Sequence, residues 1–421
     1  MPAPARRSDG AWLTAVGDGD GVVLPQIVRG AFESPPVETI YYGPGAFDRI
    51  VGLVDRYGGR RVFVIASATL VRAGVSRRLE ALLGARLAGV HAETRQHVPR
   101  GAVLVAADRA REVDADLLIS VGGGTSIDCA KAVGMCLAEQ ITEPADFDAY
   151  RGDFTVAGTR AASLLEDRTL PHIAVPTTLS GAEHTAMLGI MDETRHEKDV
   201  FHCEQFVPDA IVLDPEVTVD TPAWLWASTG MRAIDHAIEG MLSARAIPLI
   251  DALGLEAVRI LARRLPDAGH DPGDLAAQMA CLHAAWLASH ALTNIGVGLS
   301  HGIGYQLTAQ YDIPHGLTSC AVLPTVVEFN APVVLPQLRR IADALGADVR
   351  ECSDVEAADA CVAALRALVE RLGVTSRLRD LGADQRTLAL VAERTVRDGP
   401  AAGNPRPVVK EDVLRLLQAA W

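Results

Sequence analysis

The chain carries two hydrophobic rhythms, and the change from one to the other falls near its middle. In the first half short, continuous apolar runs recur at Arg61–Ala66, Asp116–Val121, His172–Val175 and Ala210–Leu213. Stretches of helical composition, such as Ser76–Leu83 and Val103–Val113, lie between them. Val, Ile and Leu without alternation predict strands covered on both faces, hence a parallel sheet beneath helices. Thr39–Tyr42 predicts a further short strand, closed by the turn residues Gly43, Pro44 and Gly45. After Asp214-Pro215 these runs stop, and apolar-periodic segments broken by Gly and Pro continue to Trp421. Thr221-Pro222 predicts a helix start, with Thr as N-cap and Pro at the first helical position. The expected fold class is therefore α/β plus all-α: a parallel-sheet domain over residues 37–215 and an all-helical domain over 216–421. Residues 1–36, rich in Gly, Ala, Asp and Pro, read as an N-terminal extension or arm.

Composition narrows the partners. With 421 residues, 49% hydrophobic and 22% charged, the chain has material for a large core and more than one domain. Its net charge of −14 argues against nucleic acid and anionic membranes, both of which call for a basic surface. No apolar run approaches the roughly 18 residues of a membrane span. Arg6 and Arg7 are not followed by the apolar core of a signal peptide. Seven cysteines without a CxxC pair suit buried, reduced thiols, so a soluble, cytoplasmic protein is expected.

The chemistry begins at Val121-Gly122-Gly123-Gly124-Thr125-Ser126-Ile127-Asp128-Cys129-Ala130-Lys131, which follows a predicted strand and opens a predicted helix. Three glycines let backbone N–H groups approach an anion, and the helix N-terminus adds partial positive charge, so pyrophosphate is the natural guest. Lys131, further into the helix, is either a surface lysine or a residue facing that site.

This segment closely resembles the glycine-rich loop of the iron-containing alcohol dehydrogenases. Pro176-Thr177-Thr178-Leu179-Ser180-Gly181-Ala182-Glu183 is similar to a second segment of that superfamily. The short form of this segment, together with Gln96-His97-Val98-Pro99 as a strand end and Asn404-Pro405-Arg406-Pro407, resembles the maleylacetate reductase branch. The resemblance implies a dehydroquinate synthase-like architecture and a nicotinamide cofactor. Gly122, Gly123, Gly124, Thr125, Asp128 and Lys131 would hold it from the loop, with Thr177, Thr178, Ser180 and Lys198 beside them. Ile65-Ala66-Ser67-Ala68 carries no carboxylate for a ribose hydroxyl, so NAD(H) and NADP(H) both stay open. The resemblance also implies a homodimer.

In that family one Asp and three His hold a divalent metal. The corresponding positions here are Arg232, His236, His301 and His315, within Gly230–Glu239, His301–Tyr305 and Pro314–Gly316. Three histidines suit iron or zinc. Arg232, four residues before His236 and on the same helical face, replaces the carboxylate and cannot ligate. Asp235, about 100° round the helix from His236, is expected to cap or pair elsewhere. Tyr305 stands where the family has a further His, and a phenol can also donate a proton. The expected catalytic set is Arg232, His236, His301, Tyr305 and His315, with Arg232 clamping a substrate carboxylate. These residues predict a metal-independent reductase of a small oxo acid, or of a C=C conjugated to a carbonyl. Three alternatives stay open: a metal-dependent alcohol dehydrogenase, a lyase or cyclase without net redox, and a protein that only binds. His184, Trp226 and Trp286 either shape the pocket or pack.

Overall fold

A computed structural model describes residues 37, 39–151, 165–397 and 399–421. The expected arm at residues 1–36 lies outside them. The described residues form eight strands: β1 (Thr39–Tyr42), β2 (Val62–Ala66), β3 (Leu87–His91), β4 (Leu117–Gly122), β5 (His172–Pro176), β6 (Met187–Asp192), β7 (Glu197–His202) and β8 (Ala210–Leu213). Six of them form one sheet in the order β1-β8-β5-β4-β2-β3, and every neighbouring pair in it is parallel. Every residue of β2, β4, β5 and β8 is buried, as their uninterrupted apolar runs require. Helices α1 (Ile50–Arg56), α2 (Ala68–Ala73), α3 (Val75–Leu83), α4 (Arg100–Glu112) and α5 (Gly124–Ala138) connect and cover this sheet.

Two strands do not join it. β6 and β7 form an antiparallel hairpin in register Met191↔Lys198 and Gly189↔Val200, and Met191 also bridges Pro99. The residues expected to end a strand, Gln96 to Pro99, instead form a turn, with His97 and Val98 at φ of 61° and 54°.

Beyond β8 the described residues are helical: α6 (Ala223–Leu242), α7 (Pro248–His270), α8 (Leu275–Asn294), α9 (Leu299–Tyr311), α10 (His315–Asn330), α11 (Leu335–Ala344), α12 (Asp354–Arg371), α13 (Leu388–Arg397), α14 (Gly399–Ala402) and α15 (Lys410–Ala419), with short 3-10 turns between some of them. The start of α6 corrects the expected cap. Pro222 is the N-cap, and the Thr221 hydroxyl donates instead to Thr177 O at 2.7 Å, tying the helical half to the end of β5. One core cluster joins the halves, with Ile211 and Leu213 of β8 packed among Ile234, Ile238, Leu261 and Leu282. Among the described residues no helix is long and apolar enough to cross a membrane. None of the seven cysteines forms a disulfide.

Candidate active site

β4 and β5 end side by side, with Gly122 opposite Pro176 and Thr177 N–H donating to Gly122 O at 2.9 Å. The two loops that leave these strands therefore face each other at the carboxyl edge of the sheet, where open parallel sheets bind ligands. Gly122 sits at φ 149°, and a Cβ there would meet Ser126 Oγ at 2.5 Å. At Gly123 a Cβ would meet Thr178 Cγ2 at 2.9 Å, and at Gly124 it would stand 3.1 Å from Ser180 Oγ. The glycines thus keep a bare backbone surface against two hydroxyl side chains. α5 begins there with no side-chain cap, and the buried hydroxyls of Thr178 and Ser180 have no partner among the described residues. Uncapped N–H groups, absent side chains and orphaned hydroxyls on one edge fit a dinucleotide's phosphates and ribose. Thr125 lies half-buried in the first turn of α5.

Three expected cofactor residues have other placements. Lys131 does not present its ammonium to the glycine loop. It is buried and donates to Ala182 O, Thr185 O and Met187 O at 2.7–2.8 Å, which uses all three of its protons. Asp128 accepts Gly189 N–H at 3.3 Å, and burial raises its carboxyl against the pull of Lys131 and Lys198. Lys198, at the start of β7, reaches away from the glycines and donates to His315 Nε2 at 3.0 Å.

That bond opens the second part of the site, built from α6, α9 and α10. Arg232, Asp235, His236 and Glu239 are all buried on α6. Arg232 Nη1 donates to Ser319 Oγ at 3.1 Å and lies 3.8 Å from Asp235 Oδ2, with its guanidinium 5.7 Å over the Tyr305 ring. Asp235 Oδ2 accepts from Ser300 Oγ at 2.8 Å and Ser319 Oγ at 2.7 Å. The expectation that Asp235 pairs elsewhere missed how near its partners are, because Ser319 bridges it to Arg232. Burial raises the Asp235 carboxyl.

Glu239 anchors the start of α9. It accepts Gly298 N–H at 2.7 Å, Ser300 N–H at 2.5 Å and His301 Nδ1–H at 2.6 Å. The last bond fixes the His301 tautomer and leaves Nε2 as a lone pair, buried and without a partner among the described residues. Burial and then Arg232 hold the His301 ring down to about 3, so it stays neutral. His236 stacks on it, ring centroids 4.8 Å apart, and burial holds His236 well below the usual imidazole range.

His315 is locked from both sides. Thr308 has one hydroxyl proton, which goes to Ile313 O at 2.8 Å, so His315 Nδ1–H donates to Thr308 Oγ1 at 3.0 Å. Nε2 is then the acceptor that Lys198 meets. Burial, Lys198 and Arg232 keep this ring neutral too. The Tyr305 ring stands edge-on to His315 at 5.5 Å and to His301 at 6.3 Å. His97, not expected in the site, lies edge-on to His315 at 5.6 Å and pairs through Nε2 with Asp312 Oδ1 at 2.9 Å. Of the aromatic residues singled out earlier, Trp226 is core, whereas His184 stacks on Trp286 beside a separate cavity of about 190 Å³.

These residues do not fit a divalent ion at the three histidines. Among the described residues the ligand atoms of His236, His301 and His315 do not come within 4.8 Å of one another as a set. The Nε2 of His315 is taken by an ammonium, and Arg232 adds a second cation that disfavours a dication. Asp235, Glu239 and His301 do bring ligand atoms within that distance, but Glu239 is occupied by backbone N–H groups and His301 Nδ1–H.

Comparison with known proteins agrees with this geometry at the level of fold and family. The model described as "Iron-containing alcohol dehydrogenase" matches residues 36–215, and that described as "Fe-containing alcohol dehydrogenase family, C-terminal" matches 226–421. Lactaldehyde reductase of Escherichia coli (strain K12) is 31% identical over 389 residues, covering 91% of this chain and 98% of the relative. Maleylacetate reductase 2 of Cupriavidus pinatubonensis is 31% identical over 386 residues, covering 92% and 95%. The solved structure of a 1,3-propanediol oxidoreductase superposes with a TM-score of 0.86 at 26% identity, covering 93% of this chain and all of that one.

Proposed function

The chain belongs to the iron-containing alcohol dehydrogenase family and is an oxidoreductase, and from that premise we propose that it reduces a small, carboxylate-bearing oxo substrate with NADH or NADPH and without a metal. The observation that carries this reading is the buried Arg232 guanidinium, with one hydrogen bond among the described residues where the family has a metal ligand. A guanidinium offers five donors in a planar fork, and a carboxylate is the anion that meets two of them at once. The relative named maleylacetate reductase 2, whose name specifies an acidic substrate, supports the same class.

NADH or NADPH held by the glycine loop and the Thr178 and Ser180 hydroxyls would supply the hydride that reduces the carbonyl carbon. The protein's own part is positional and electrostatic. Gly122, Gly123 and Gly124 offer backbone to the phosphates, with Thr178 and Ser180 hydroxyls opposite. Arg232 holds the substrate carboxylate, and the His301 Nε2 lone pair accepts a hydrogen bond from the substrate or from water beside it. As the C=O π pair moves to oxygen, Tyr305 Oη gives the proton that completes the alcohol. Neutral His236, His301 and His315 add no positive charge of their own, which leaves anion binding to Arg232 and Lys198.

Two probes test the reading: maleylacetate, which is an acid, and lactaldehyde, which is neutral. Wild type oxidises NADH or NADPH with maleylacetate, keeps that rate in a chelator, and carries no stoichiometric metal by elemental analysis. Arg232→Met lowers kcat/KM for maleylacetate by about 1.5–3 kcal/mol, tenfold to a hundredfold or more, with little change toward lactaldehyde. Activity that chelation abolishes, or equal losses toward both probes, would refute the clamp.

A further inference from the structure

Lys198 reaches His315 only by crossing the face of its own hairpin. It stands opposite Met191, and the next residue on that face of β6 is Gly189. A Cβ built on Gly189 would run into Lys198 Cε and stand 3.1 Å from Nζ. No other glycine among the described residues has its added Cβ confronted by the amine end of a lysine. The backbone at Gly189 does not need glycine, because its φ is not positive. Its missing side chain therefore serves space, and the occupant of that space is the Lys198 stem.

Two features aim the stem once it is there. Burial and Arg232 lower the Lys198 ammonium's hold on its proton, while Asp128, which accepts Gly189 N–H at 3.3 Å, draws that ammonium electrostatically. At the far end, the Thr308 hydroxyl sets His315 so that Nε2 is an acceptor. Lys198 thus ends on His315, within electrostatic reach of Arg232.

We propose that Gly189 is a positioning residue, whose bare Cα is the passage that seats Lys198 on His315 as the second cation facing the bound substrate. This rests on the reading of the Arg232 pocket as the substrate site. A side chain at 189 collides with the flexible end of a lysine and not with backbone, so the fold accommodates it and the lysine moves.

The test is a cycle of four proteins: wild type, Gly189→Ala, Lys198→Ala and the double variant. Each is assayed with maleylacetate and reduced nicotinamide, and the Gly189→Ala crystal structure is solved. Each single variant loses about 10- to 100-fold in kcat/KM, as for a lost hydrogen bond from a charged donor. The double variant is no worse than Lys198→Ala, since no amine remains to be displaced. The double variant should melt no lower than Lys198→Ala, a control for a merely structural effect. Losses that add, or a Gly189→Ala structure with Nζ still on His315 Nε2, overturn the proposal. Full activity in Lys198→Ala and Arg232→Met would instead sink the substrate-site reading, and the displacement in the crystal structure would still decide the role of Gly189.

Discussion

Burial sets the state of the pocket's titratable residues and their neighbours modulate it, and Glu239 shows how much follows from one. Burial lifts its carboxyl from 4.5 to about 7, even though backbone N–H groups and Arg232 pull the other way. For a group raised in the folded state, the stabilising contribution is full below about pH 4.5 and fades as pH rises through about 7. The ceiling on that contribution is on the order of 3 kcal/mol. Glu183, also raised by burial to about 7, acts in the same window. Comparison of wild type with Glu239→Gln therefore isolates the residue. The variant melts at a lower temperature at acid pH, having lost acceptor capacity at the start of α9, and its melting temperature falls less between pH 4.5 and 7. Parallel curves for the two proteins would mean that Glu239 is ionised in the native state throughout.

At the scale of elements, the site is set by how closely α6 and α10 approach. A Cβ on Gly316 would stand 2.6 Å from the backbone C and O of Ser228, so no side-chain movement can relieve it. Gly316→Ala must push the helices apart, carrying His315 and Ser319 away from Lys198 and Arg232. We expect a loss of about 1–3 kcal/mol in stability together with a fall in kcat/KM. The control is Gly52→Ala in α1, where nothing lies within 4 Å of the added methyl and stability should rise by up to about 1 kcal/mol. Both are measured by urea unfolding, and a Gly316→Ala protein as stable as wild type would show that the approach is not tight. The same scale separates what the sequence revealed from what it hid. β2, β4, β5 and β8 were legible because strands buried on both faces leave continuous apolar runs. β3, Leu-Ala-Gly-Val-His, was not, since Gly89 and small neighbours blur the run. The β6–β7 hairpin mixes Lys198, Asp199 and His202 with apolar residues, so it leaves no continuous apolar run and was not read from the sequence. Resemblance to the family's motifs, and not spacing alone, singled out Arg232, His236, His301, Tyr305 and His315, which the fold brings near one another. The targets of Lys131 and Lys198 were not legible, because a long flexible stem points wherever tertiary neighbours offer acceptors.

At the scale of the whole molecule, the hairpin that carries Gly189 and Lys198 hydrogen-bonds to no strand of the main sheet. Met191 N–H donates to Val98 O at 3.0 Å and Lys131 to Met187 O at 2.8 Å, and a partly buried network of charge holds its other face. Arg100, 2% exposed at the start of α4, donates to Asp148 and Asp199 at 2.7 Å each and lies 3.2 Å from Asp192. Arg195 closes the same ring at 2.6 Å from Asp199 and 2.8 Å from Asp192, and Arg151 reaches Asp199 at 2.9 Å. Three arginines thus balance three aspartates, joining α4, the 3-10 segment Pro144–Tyr150 and the hairpin. Three carboxylates drawn together, Asp192 and Asp199 buried and Asp148 exposed, suggest a cation site, but the guanidinium of Arg100 already sits between them. Surface pairs such as Arg366–Glu328, both more than half exposed, contribute about 0–1 kcal/mol. Removing one partner of a buried pair costs about 3–5 kcal/mol, because the other charge stays in low dielectric unpaired. Arg100→Met should therefore lower the melting temperature by several degrees while Arg366→Met barely moves it. Because Asp199 and Lys198 are consecutive on β7 and face opposite sides, slackening one face releases the other. Activity in Arg100→Met should then fall further than the folded fraction does, measured at a temperature where circular dichroism shows the protein fully native. If the native variant retained wild-type kcat/KM, the network would be holding the hairpin's stability without holding Lys198 in place.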